Sequence, residues 1–367
     1  IKQQGESNTR ALRDFHNLFV KKVLIKGASQ NGYTLIDLAV GKGGDFSKWI
    51  DAKLSFVFGI DLSKDNIENR LDGACARYLN YRKKFKVMPD ALFVNGNSGL
   101  NIKNGDALLS EKEKIISKAV FGLGEKNEKK LGKGVFKNYG KGKEGFNVTS
   151  CQFAMHYFFE NAIILNNFLQ NIADCTKIGG YFIGCCYDGK KIFDDLINKS
   201  SGEGMTLFKN DNKIWEIIKR YDNKEFNNDD SSIGYPIDVY QETIGKMFRE
   251  YLVNFDYFIR LMENYGFILL SREEAIELNI PNGTGYFNDM FSIMETQSKS
   301  KKNNAHIGEA LNMTIEEKKI SFYNRYFIFK KERDVGNVTI AKTKKTKINI
   351  KPKNIKKLAD RIIIKYS

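Results

Sequence analysis

Two acidic residues, Asp45 and Asp61, close two short apolar runs and are placed to meet a ligand that carries ribose and positive charge. The run Leu35-Ile36-Asp37-Leu38-Ala39-Val40-Gly41-Lys42-Gly43-Gly44-Asp45 reads as a buried strand that stops in a glycine-rich turn. The turn opens a helix at Phe46-Ser47-Lys48-Trp49-Ile50, and Phe56-Val57-Phe58-Gly59-Ile60-Asp61 reads as the next parallel strand. Glycines in such a turn let the backbone approach a ligand closely, and an acid ending the second strand accepts hydrogen bonds from both ribose hydroxyls. An adenosine-containing ligand therefore belongs at the mouth of an α/β sheet. A structural turn with no ligand is the plain alternative, because a bare glycine turn is common.

The chemistry narrows further. A dinucleotide site calls for G-x-G-x-x-G around a pyrophosphate, whereas the order here is G-K-G-G-D. Asp45 would repel a pyrophosphate but suits a ligand with an ammonium and a sulfonium, such as S-adenosyl-L-methionine. A second constellation, Gln152-Phe153-Ala154-Met155-His156-Tyr157-Phe158-Phe159, follows the fourth strand expected in the chain. Residues just beyond the C-terminal end of such a strand face the ligand crevice. Aromatics there can stack on a purine, and Glu250 can take both donors of a guanine Watson–Crick edge. A buried, satisfied core histidine is the plain reading of His156.

The elements that must hold these groups alternate. The spacing predicts a helix over residues 10–30, strands at Ala91–Val94, Phe146–Phe153 and Gly179–Cys185, and helices at Ala74–Lys86 and Asn161–Thr176. A further helix is expected around Glu250–Phe255 and a last aromatic strand over Phe322–Lys331. Strand–helix alternation specifies a doubly wound, mostly parallel sheet, a Rossmann-like α/β fold with insertions. Residues 190–235 are polar and carry no clear assignment. Residues 122–145, rich in Gly and Lys, read as a solvated insertion in a domain spanning residues 1–335, and 336–367 as a basic tail. The 367 residues carry a net charge of +15, which points to a polyanionic partner. No apolar run approaches the ~20 residues of a membrane span, so a membrane is not the expected partner. Five cysteines without C-x-x-C spacing and three histidines suit neither a zinc site nor a disulfide framework, and read as reduced thiols of an intracellular protein.

Four blocks together resemble the mRNA cap guanine-N7 methyltransferase family. They are Asp37-Leu38-x-x-Gly41-Lys42-Gly43-Gly44-Asp45, Gln152-Phe153-x-x-His156-Tyr157, Gly179-Gly180-Tyr181-Phe182-Ile183-Gly184 and Glu250-Tyr251-x-Val253-x-Phe255. The segments Ile67–Ala74, the Gly/Lys-rich insertion and Cys186–Lys191 look most like the methyltransferase domain of capping enzymes of large cytoplasmic DNA viruses. The resemblance implies that Lys21 reaches the cofactor carboxylate, Ala39 and Gly41 line the turn under its methionine moiety, Asp45 holds its ammonium and Asp61 its ribose. Asn97 would stand beside the adenine amino group, where the family has aspartate, and Gln152 joins the cofactor set. On the cap side it implies Lys42 and Arg77 near the phosphates, and Phe153, His156, Tyr157, Glu250 and Tyr323 around guanine. It also implies 5′-capped mRNA as substrate and a monomer, with RNA triphosphatase and guanylyltransferase domains upstream on one polypeptide. The expected compartment is the cytoplasm for a viral protein and the nucleus for a cellular one.

Guanine N7 has a free lone pair, so the expected reaction is an in-line displacement with no side-chain base and no metal. Two rivals stay open at this point: another RNA or small-molecule methyltransferase, and a non-catalytic RNA-binding subunit.

Overall fold

The computed structural model describes residues 7–299 and 304–336. The strands are β1 (Thr34–Asp37), β2 (Phe56–Asp61), β3 (Asp90–Asn95), β4 (Phe146–Gln152), β5 (Thr176–Tyr187), β6 (Gly204–Lys209), β7 (Asn212–Lys219), β8 (Pro236–Gln241), β9 (Lys246–Tyr251), β10 (Phe267–Leu269), β11 (Thr284–Tyr286) and β12 (Asn324–Lys331). Among the described residues the main sheet has the order β10-β12-β5-β4-β1-β2-β3, with β11 added beside β12. Strands β1 to β5 run parallel, and β12 pairs antiparallel with β5. This is the expected doubly wound α/β sheet, and the order reverses between β1 and β4, the point where open α/β sheets bind their ligands.

Alternate residues explain why both faces are covered. Leu35, Val57, Val148, Ile183 and Ile328 belong to one core cluster, while their chain neighbours Ile36, Phe58, Phe182 and Phe327 belong to the other. A sheet that is apolar on both faces must be buried on both, which the flanking helices do. Helix Ala162–Cys175 is typical: Asn161 caps it by accepting from the Ile163 and Ile164 amides, and Leu165, Phe168, Leu169 and Ile172 pack inward.

Four elements differ from expectation. The span 10–30 is interrupted: Phe15–Val20 form a π-helical turn between α-helices Arg10–Asp14 and Lys21–Gly27. Residues 204–251 contain a separate antiparallel sheet, β6-β7-β8-β9, packed over Trp215, Ile217, Tyr187 and Tyr323. Glu250 lies on β9 rather than in a helix; Asn254 caps the helix, which begins at Phe255. Residues 122–145, expected as a solvated insertion, contain helix Glu128–Lys137, kinked where Gly132 adopts φ 75°. The basic tail, from residue 337 onward, lies outside the described residues.

Candidate active site

The crevice begins with the turn after β1. Gly41 and Gly43 adopt φ of 55° and 70°, a region that glycine enters without steric penalty. A Cβ at Gly43 would meet the Phe46 ring at 2.4 Å, whereas one at Gly41 would face open space. The turn is tied to β2 by the Gly41 amide, which donates to Asp61 Oδ2 at 2.8 Å. Asp61 Oδ1 accepts from the Ser63 amide at 2.9 Å and the Asn66 side chain at 3.0 Å. Burial raises the Asp61 carboxyl against the pull of these donors.

Asp45 precedes helix Phe46–Asp51 at the cap position, yet its side chain caps nothing there. It turns instead toward two buried ammonium groups, Lys21 at 3.5 Å and Lys48 at 2.9 Å. Burial would raise this carboxyl, but the two lysines outweigh it and hold Asp45 below its ordinary value. Asp37, which accepts from the Ala39 amide at 3.1 Å, is pushed up to about 7 by burial and then by the Asp45 charge. Lys21 and Asp45 thus present a positive and a negative end side by side, the complement of an amino-acid zwitterion. With ribose-compatible Asp61 across the turn, these residues fit S-adenosylmethionine.

His16 and Lys48 are parts of this site that the sequence alone did not single out. Residues five apart diverge by about 140° on an α-helix, but a π turn bonds i to i+5 and returns them to one side. His16 and Lys21 consequently both face Phe153, the imidazole stacked on its ring at 5.0 Å and the ammonium 5.7 Å from its centroid. His16 Nε2 lies 2.8 Å from Ser321 Oγ, and burial lowers this imidazole to about 3, so it is neutral. Phe153 itself has φ 56°, a costly conformation for a bulky residue that persists only when surroundings impose it. Its amide donates to Cys185 O at 2.8 Å, which holds it at the end of β4.

Beyond Phe153 the chain forms a 3₁₀ turn, Met155–Glu160, that carries His156. The small sheet brings Glu250 against it from the opposite side, with Nε2 and Oε1 3.5 Å apart. Both side chains are buried, and among the described residues neither imidazole nitrogen nor Glu250 Oε2 has a hydrogen-bond partner. Burial raises the Glu250 carboxyl to about 8 and lowers His156 to about 3, so both are largely neutral at pH 7. Three buried polar atoms without partners are expensive unless a ligand completes them. Tyr157 packs its ring against His156 at 4.2 Å.

Other expected residues stand as follows. Lys42 is held by Asp72 at 2.8 Å and Asp65 at 3.2 Å, and Arg77 donates to the Lys42 carbonyl at 2.8 Å, so the two form one basic corner. Gln152 donates to Ser150 Oγ and accepts from Cys185 Sγ, each at 3.2 Å. Asn97 spends its carbonyl oxygen on the Gly99 amide at 2.9 Å, which weakens it as an acceptor for adenine. Tyr323 is not brought to His156 and Glu250. It stacks on Trp215 at 5.5 Å in the small-sheet core and donates to Asp195, because it precedes β12 on the side that packs there.

The mRNA (guanine-N(7))-methyltransferase domain model matches residues 1–332. The chain is 28% identical over 358 residues to a "Probable mRNA-capping enzyme" of Acanthamoeba polyphaga mimivirus, covering 92% of this chain and 28% of that protein. It is 28% identical over 255 residues to "mRNA cap guanine-N(7) methyltransferase 1" of Arabidopsis thaliana, covering 68% of this chain and 57% of that one. The chain therefore spans between about a quarter and three-fifths of these relatives' length. Among solved structures, the CcbJ methyltransferase of Streptomyces caelestis aligns at 12% identity and TM-score 0.46, over 90% of this chain and all of that one. The chain belongs to the mRNA (guanine-N(7))-methyltransferase domain family, whose members use S-adenosylmethionine.

Proposed function

We propose that this chain methylates N7 of the guanosine cap of mRNA, converting GpppN-RNA to m7GpppN-RNA. The observation that carries the reading is the buried meeting of His156 and Glu250, whose polar atoms are left without partners beside the cofactor crevice. A guanine edge supplies the N1 and N2 donors that Glu250 lacks, and aromatic Phe153 and Tyr157 offer surfaces for the base. When bound, S-adenosylmethionine supplies a methyl group on a sulfonium.

The chain's own part is placement. Lys21 and Asp45 hold the amino-acid end of the cofactor, and Asp61 the ribose. Phe153, fixed by His16, sets the wall between cofactor and base. Glu250 and His156 turn guanine so that N7, which needs no deprotonation, faces the crevice. Lys42 and Arg77 meet the cap phosphates, with Asp65 and Asp72 yielding Lys42. Alignment of this kind contributes up to ~7–11 kcal/mol, which is why no general base need be present.

We also infer that the domain acts as a monomer in line with RNA triphosphatase and guanylyltransferase activities on one polypeptide. Among the described residues no helix is long and apolar enough to cross a membrane. The reading is tested by offering GpppG-RNA, adenosine-capped ApppG-RNA and uncapped RNA with labelled S-adenosylmethionine. Transfer confined to GpppG-RNA supports it; equal labelling of ApppG-RNA or of uncapped RNA refutes it.

A further inference from the structure

We propose that helix Ala74–Lys84 and the insertion helix Glu128–Lys137 form a track for the single-stranded RNA that follows the cap. The direction of the track rests on the cap-methyltransferase reading, because it starts at the corner assigned to the cap phosphates. Arg77, in the first helix, is bonded to the Lys42 carbonyl at 2.8 Å. From there Tyr81 and Phe85 follow at i+4 and i+8, along one side of the helix and over about 12 Å.

The surface has the composition that unpaired nucleotides require. Phe85 is 42% exposed, and its ring stacks on Tyr81 at 5.6 Å and 18°. Lys83, Lys84 and Lys86 surround this pair and are exposed. Asp90 joins the helix to the insertion, lying 3.6 Å from Arg82 and 2.6 Å from Lys137. Beyond it, Lys126 sits 5.5 Å from the Phe136 centroid and 5.6 Å from that of Tyr139. Two aromatic clusters edged with lysine are thereby linked through one carboxylate.

The insertion helix itself argues for an external partner. None of its side chains is buried. It is held by the Asn127 cap, which accepts from the Lys129 and Lys130 amides, and by Lys130–Glu125 and Lys137–Asp90 ion pairs. Leu131, Val135 and Phe136 are only half-buried along one side, while Lys129, Lys130, Lys133 and Lys137 are exposed. Among the described residues Lys83, Lys84, Lys86, Lys129 and Lys133 pair with no carboxylate, so their charge is available to phosphates. Bases stack on exposed rings while lysines follow the backbone, which favours a single strand over a duplex whose bases are already stacked.

The test uses three variants of the whole chain: Lys83→Glu with Lys84→Glu and Lys86→Glu, Lys129→Glu with Lys133→Glu, and Phe85→Ala. Each is assayed with GpppG dinucleotide and with a capped single strand of about 15 nucleotides. The expected result is a KM for the strand raised about ten-fold or more, with the GpppG KM and melting temperature unmoved. The salt slope of strand binding should become shallower by ~0.7 for each phosphate that a lysine no longer neutralises. Anisotropy with the uncapped strand decides the track separately. If wild type fails to methylate GpppG, the cap reading falls, while loss of strand binding in the variants still upholds the track. Variants that bind the strand as wild type does, or a duplex bound as tightly as the single strand, overturn it.

Discussion

On the proposed cap reading, Glu250 makes cap recognition depend on pH in a way that its neighbours do not. Among the described residues neutral His156 lies 3.5 Å away, the Tyr187 hydroxyl and the Cys186 thiol are also near, and burial places the Glu250 carboxyl at about 8. A guanine edge donates two hydrogen bonds and therefore prefers the carboxylate, so cap binding must first remove a proton. With a value of about 8, the ionised fraction is about one in eleven at pH 7 and about one in a hundred at pH 6. Cap affinity should thus rise roughly ten-fold per pH unit below about pH 7, flattening above about pH 8, the step at pH 7 being worth about 1.4 kcal/mol. Glu250→Gln cannot ionise, so its weakened binding should be flat across the same window. Isothermal calorimetry with GpppG, in buffers of different ionisation enthalpy, reads the affinity and the proton released together. Stability supplies a second readout of opposite sign. A carboxyl raised on folding binds extra protons in the native state, so its contribution to stability falls as pH rises from the ordinary glutamate value to about 8. The stability of wild type relative to Glu250→Gln should therefore decline over that range. Identical pH slopes of cap affinity in wild type and variant would refute the reasoning, as would binding without proton release near pH 7.

Asp61→Ala should weaken S-adenosylhomocysteine binding by about 2–3 kcal/mol, since it removes a charged acceptor and releases the Gly41 amide; unchanged affinity in calorimetry removes Asp61 from the ribose site. Asp45→Asn should abolish cofactor binding and cost about 3–5 kcal/mol of stability by leaving Lys21 and Lys48 buried without their partner. Because Asp45 is held below its ordinary value, its stabilisation is full above the unfolded aspartate range and lost as pH falls through the folded value; urea unfolding should show the difference between wild type and Asp45→Asn shrinking only in acid. His16→Ala should lose the stack on Phe153, about 0.5–1.5 kcal/mol, and raise KM for both ligands. His16→Phe should restore KM, and failure of that rescue would make His16 a packing residue only.

The residues proposed to hold the cofactor were legible as a group because their pattern is local in the chain. A buried apolar run, a glycine turn and a terminal acid need few distant contacts to be recognised, and Asp61 and Asp45 lie where that pattern puts them. The small sheet was not legible in the same way. Its strands are only partly buried and are separated by an Asn-, Asp- and Lys-rich stretch over residues 220–232, so the apolar signal is diluted. A turn signal was nonetheless present: Asn210 and Asp211, at φ 49° and 62°, form the left-handed pair that a tight hairpin demands between β6 and β7. Asn254 was a second missed signal, since a cap there moves Glu250 out of the helix and onto β9. The insertion helix is announced by Asn127 and by Leu131, Val135 and Phe136 along one half-buried side, but Gly132 and Gly134 interrupt the pattern. The π turn left no trace in residue types; one extra residue per turn becomes visible only when His16 and Lys21 meet Phe153. Tyr323 was drawn toward the pocket by its place beside the last strand, but its environment is decided by Trp215 and Asp195, which are remote in sequence.

The central claim is that the cleft between the Lys21–Asp45 pair and the His156–Glu250 pair presents guanine N7, and no other atom, to the cofactor. It is tested most directly by locating the label after wild-type protein acts on GpppG-capped RNA with isotopically labelled S-adenosylmethionine, using mass spectrometry of the released cap nucleoside. The account predicts label on N7 of the terminal guanosine, and a cap containing 7-deazaguanosine that competes for binding but takes no label. Label on a ribose hydroxyl, on an exocyclic amine or on an internal base would contradict it.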